Sequence, residues 1–172
     1  MTTTRTTGTQ QRADALSANA RSVAVLATGL LAGSVLAVWL VQDPLGDSGA
    51  LYIGFRQATD PTYGRVLPPL GVAGMLAALV ALATGWPQVR ARRLTLAAVV
   101  CLLLGLAVTI VVHFPINAEI STWSAPAPPV GWESLRDRWS TAHAVRTVLS
   151  VAAFALLLAA TRPQNRAPAA RQ

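Results

Sequence analysis

Four runs of about twenty residues, 22–41, 66–86, 94–112 and 142–160, are almost free of charge, and nothing else in the chain constrains its fold as strongly. At about 1.5 Å per residue, each run covers a hydrocarbon core of about 30 Å. Backbone polar groups in lipid must be satisfied within the segment, which makes each run a helix. The predicted fold is therefore an all-α membrane protein, a four-transmembrane-helix bundle. A chain of 172 residues then has no room for a separate soluble catalytic domain. Its 12% charged residues agree, since soluble domains carry about 25%.

The first run is too long for the apolar core of a signal peptide, and no small-x-small cleavage site stands out after it, so a retained span is expected. Residues 1–20, rich in Thr, Gln and Ala, and residues 161–172, rich in Pro and Arg, are expected to be disordered tails flanking a membrane domain over 21–160. All 14 basic residues are arginine, and the net charge is +7. In a soluble chain that would suggest nucleic acid; here membrane orientation explains it, and no nucleic-acid partner is expected. Arg5, Arg12, Arg21, Arg90, Arg92, Arg93, Arg162, Arg166 and Arg171 fall on one side with Asp14. Arg56, Arg65, Arg136 and Arg138 share the other side with the six remaining acids. The positive-inside rule then puts both termini in the cytoplasm of a multi-pass protein of the plasma membrane. Trp39 and Trp86 serve as interface anchors at opposite ends of the first two spans.

Cys101 is the single cysteine and lies mid-span, which excludes disulfides, thiolate zinc sites and dithiol redox chemistry. None of the four runs contains Asp or Glu, the usual handle of proton-coupled transport. Pro115 is expected to break helix three, and Pro126, Pro128 and Pro129 to extend a long extracytoplasmic loop between helices three and four. Helix four is expected to start outside the membrane near Trp132. On it Trp132, Leu135, Trp139, His143, Arg146 and Ser150 recur at steps of three and four, one face that turns from aromatic to cationic as it enters the bilayer.

Arg146 lies about one turn inside the span, where a cation is costly and its company on the face points to a site. A snorkelling, purely structural arginine is the plainer reading. His143 can act as base, donor or ligand near neutral pH, or be a satisfied structural residue. His113, His143 and Glu119 are weak candidates for a metal ion; no cofactor is predicted. In the segment 43–65, Leu51, Tyr52, Phe55 and Thr59 predict a short interfacial helix that ends before Pro61 and roofs the bundle near Gln57.

The run His113-Phe-Pro-Ile-Asn117, followed by the Pro-rich stretch and then Trp132-Glu-Ser-Leu-Arg136-Asp-Arg138-Trp139-Ser-Thr-Ala-His143-Ala-Val-Arg146-Thr147, resembles the membrane family DUF1772, also called the anthrone oxygenase family. Phe55-Arg-Gln57 ahead of Val66-Leu-Pro68 is similar to that family's N-terminal half. The recurring polar positions fall on Asn117, Trp139, His143 and Arg146, with His143 standing where many members have Asn. The resemblance implies oxidation of an anthrone-like aromatic or polyketide substrate by molecular oxygen at the outer membrane face. No cofactor is needed, because the substrate's own carbanion can give an electron to oxygen. On this reading His143 removes a proton, Arg146 and Asn117 stabilise the oxyanion, and Trp132, Trp139, Trp123 and Gln57 hold the substrate. The alternative is a non-enzymatic membrane binding or structural protein in which Asn117, His143 and Arg146 staple helices three and four.

Reporter fusions after Thr161 and within residues 124–129 test the orientation. The first is expected to report from the cytoplasm and the second from outside; the reverse pattern would overturn it.

Overall fold

The computed structural model describes residues 3–42, 48–84 and 89–162. Its elements are α1 (Thr3–Gln42), α2 (Gly49–Ala83), α3 (Val89–Val108), a π-helical turn (Thr109–His113), α4 (Phe114–Ile120) and α5 (Trp132–Thr161). Among the described residues, four stretches are long and apolar enough to cross a membrane: Gln11–Val41, Gly49–Ala83, Val89–Ile120 and Trp132–Thr161. Leucines such as Leu30, Leu40, Leu76, Leu96 and Leu104 remain exposed on the outer surface, as expected where lipid replaces water. The interior is built from smaller residues, with Ala24, Ala78, Ala98 and Ala153 packing beside Val99, Leu102 and Leu157. Small side chains let helices approach closely where no hydrophobic effect drives them together.

The four helices form a ring. α1 packs along α2 and α5, α3 packs along α5, and α2 meets α3 only sparsely. Stretches of 30 to 35 residues are about 45–52 Å long and outrun a hydrocarbon core of about 30 Å. A second core therefore forms at one end, where Val38, Tyr52, Ile53, Ile116, Ile120 and Trp139 pack together. The turn through residues 121–131 closes this capped end, helped by a bond from the Ala127 N–H to the Ser124 carbonyl and by Gly131 at φ 80°.

Three expectations are corrected. Helix α1 begins at Thr3, well ahead of the apolar run; Trp86 and, beyond Arg162, the expected C-terminal tail lie outside the described residues. Pro61 does not end a short helix. α2 starts at Gly49, capped by the Ser48 hydroxyl accepting from the Leu51 N–H, and runs through Pro61, Pro68 and Pro69. Tyr52, Arg56, Asp60 and Leu67 keep one inward face across Pro61, and their contacts outweigh the one hydrogen bond that proline removes. Pro115, finally, does not break helix three. The π-helical turn ahead of it bonds the Phe114 N–H to the Thr109 carbonyl, widening the helix where the proline ring would strike a carbonyl. The helix then continues to Ile120, and the long loop shrinks to residues 121–131.

A Cβ on Gly74 would lie 2.8 Å from the Thr28 Oγ1 and 3.4 Å from its backbone nitrogen, whereas one on Gly33 meets open space. Gly74→Val should destabilise the bundle by about 1–3 kcal/mol, and Gly33→Ala should leave it unchanged or raise it by up to about 1 kcal/mol. Unfolding in detergent micelles measures both; an unshifted Gly74→Val would contradict the α1–α2 contact.

Candidate functional site

The π-helical turn sets the register of α4 and brings Asn117 against both α2 and α5. Its Oδ1 accepts from Arg56 Nη2 at 2.7 Å and from Trp139 Nε1 at 2.8 Å. Both partners can only donate, which fixes the amide orientation and turns the Asn117 NH2 the other way. Arg56 Nη2 also pairs with Asp60 Oδ2 at 2.8 Å, one turn along α2. Its guanidinium lies 3.8 Å from the centroid of the Trp139 ring. Arg56 is only 1% exposed, and a carboxylate, an amide oxygen and an aromatic face are what a buried cation requires.

One turn deeper, His143 stacks on Trp139 with centroids 4.6 Å apart. His143 Nε2 lies 2.9 Å from the Val35 carbonyl of α1. A carbonyl only accepts, so Nε2 carries the hydrogen, and Nδ1 accepts from Arg146 Nη2 at 2.8 Å. Arg146 Nη1 reaches Thr109 Oγ1 in the π-helical turn at 3.4 Å, while its Nε is buried without a partner. His113 meets the Trp139 ring edge-on at 4.9 Å and His143 at 5.9 Å.

Arg56, Asp60, His113, Asn117, Trp139 and Arg146 line a narrow cleft near the capped end. A small apolar chamber adjoins it along the sparse α2–α3 seam, between Leu31, Val72, Met75, Leu102 and Leu106. Leu67, Pro68, Thr109 and Arg146 belong to both. Arg146 thus stands where the polar and apolar chambers meet.

The residues singled out from sequence divide into three groups. Asn117, Trp139 and Arg146 line the cleft. Trp139 has Arg56 on one face, His143 on the other and His113 at its edge, so it is a wall and not a free stacking platform. His143 is fully buried behind that wall and ties α5 to α1, not to helix three. Gln57, Trp123 and Trp132 build the cap: Gln57 Nε2 donates to the Ile120 and Trp123 carbonyls at 3.0 and 2.7 Å, and Trp132 packs on Tyr52 with centroids 5.7 Å apart. Glu119 is exposed, and among the described residues no group of three His, Cys, Asp or Glu is arranged to hold a metal ion. Sequence reasoning missed Arg56 and Asp60, using both only as charges that set the membrane orientation. Their i, i+4 spacing behind a Ser48 cap was the available signal.

The family model described as anthrone oxygenase matches residues 55–156. Comparisons with curated proteins and with solved structures give no match. The matched range takes in Arg56, Asp60, His113, Asn117, Trp139 and Arg146, which line the cleft, and His143 behind them. With more than half of its length matched, this chain belongs to the anthrone oxygenase family, DUF1772.

Proposed function

We propose that the protein is a cofactor-independent oxygenase that takes a flat, apolar aromatic substrate of the anthrone type from the bilayer and oxidises its methylene carbon with molecular oxygen. The observation that carries this reading is Arg146 at the junction of an apolar chamber and a polar cleft. The apolar lining of the chamber suits a ring system, and its place on the α2–α3 seam suits entry from lipid as the two helices part. The polar cleft suits a carbonyl that becomes an oxyanion once a proton is lost. Arg146, with a buried unpartnered Nε, and the Asn117 NH2, whose oxygen is already committed, are the donors for that charge. A contact serving only to staple helices would close on itself, and this one borders two cavities.

The overall reaction converts a methylene and one molecule of oxygen into a carbonyl and one molecule of water. The delocalised anion gives one electron to oxygen, the two radicals combine, and the resulting hydroperoxide loses water. His143, with both ring nitrogens engaged, orients Arg146 in this scheme. The arginine distribution supports a cleft at the outer face, with both termini in the cytoplasm. With Thr161 at the inner boundary, Arg146 lies about 22 Å along α5, inside the hydrocarbon zone but near its outer limit.

Arg146→Lys replaces a forked donor by a point charge. Oxygen-dependent turnover of anthrone in proteoliposomes should fall about 10²–10³-fold, with membrane insertion retained. Arg138→Lys, on the exposed part of α5, should stay within about twofold, as surface changes do. Wild-type turnover in Arg146→Lys would remove Arg146 from the site.

A further inference from the structure

We infer that His113 is the general base of this cleft, with Nε2 as the atom that takes the substrate's proton; the inference rests on the oxygenase reading above. Three groups with basic atoms bear on the cleft. The Asp60 carboxylate is held by Arg56 at 2.8 Å. His143 has its Nε2 hydrogen on Val35 and its Nδ1 lone pair on Arg146, and it does not line the cleft. His113 does line it.

The tautomer of His113 follows from its own bond. Nδ1 lies 3.3 Å from the Val108 carbonyl, five residues back across the π-helical turn. Because that oxygen only accepts, Nδ1 carries the hydrogen and Nε2 keeps a free lone pair. Nε2 is buried with no hydrogen-bond partner, in a residue only 1% exposed. An orphaned acceptor at that depth costs stability and calls for a reason. A substrate C–H, which asks for a lone pair and offers no competing polar group, supplies it. Arg146 and Asn117 line the same cleft, so proton and developing oxyanion are received within one chamber.

In the first step the C–H bond breaks and an N–H bond forms at Nε2, while the electron pair passes into the substrate's carbonyl oxygen. Oxygen, the co-substrate, then takes one electron and the radical pair closes to a peroxide anion. His113 returns its proton to the peroxide. Loss of the second C–H proton with cleavage of the O–O bond leaves the new carbonyl and water.

Two measurements on the full chain in nanodiscs test this. Side-chain ¹⁵N NMR should show an unprotonated Nε2 at His113 and a protonated Nε2 at His143. Anaerobic exchange of the anthrone methylene hydrogens in D2O, followed by mass spectrometry, isolates proton removal from oxidation. Wild-type protein should accelerate exchange, and His113→Gln should lose about 10²–10⁴-fold of it while the His143 resonances stay in place as proof of folding. Exchange that survives His113→Gln, or a protonated Nε2 at His113, would overturn the assignment and leave the oxygenase reading standing. Absence of exchange by wild-type protein would overturn both.

Discussion

One amide oxygen, Asn117 Oδ1, takes donors from two other helices, and the capped end of the bundle is organised around it. Hydrogen bonds from charged groups contribute about 1.5–3 kcal/mol each, and breaking a buried charged pair costs about 3–5 kcal/mol. Arg56 is tolerated inside because Asn117, Asp60 and the Trp139 face surround it. Trp139, fixed by Asn117, in turn backs His143, and His143 aims Arg146. The chain of contacts runs from a surface cap to a guanidinium at membrane depth through residues that each have one geometry available.

The bundle closes three of its four seams with small residues. Gly74 against Thr28 and Gly29 against the Phe154 ring show how near α1 lies to α2 and α5. At the α2–α3 seam the helices meet only sparsely, and the apolar chamber opens there. Closeness elsewhere and looseness here are two results of one packing rule: helices in lipid gain by contact and not by exclusion of water. A ligand as apolar as the lipid itself can replace that missing contact.

The four spans were legible because twenty apolar residues in a row admit few structures, and the face of α5 was legible because steps of three and four survive any tertiary context. Arg146 and Trp139 accordingly stood out from the sequence, and Asn117 through the family resemblance. Proline misled at Pro61 and Pro115, since its local cost is visible in sequence while the packing and the π-helical turn that absorb it are not. Arg56 and Asp60 were hidden by the same error, because a short helix read as lying at the membrane surface does not suggest buried charge. His143 and His113 look alike as letters. Only the carbonyls of Val35 and Val108, contributed by backbone that no motif specifies, separate a saturated ring from one with a free lone pair.

The proposed function requires that the cleft join molecular oxygen to a substrate carbon without a cofactor. Isotope labelling tests it most directly, with purified protein in nanodiscs, anthrone as substrate and no cofactor added. Under ¹⁸O2 in ordinary water the new carbonyl is predicted to carry one ¹⁸O atom, the second appearing in water. Product that draws its oxygen from solvent, or no product above the protein-free rate, would contradict the account.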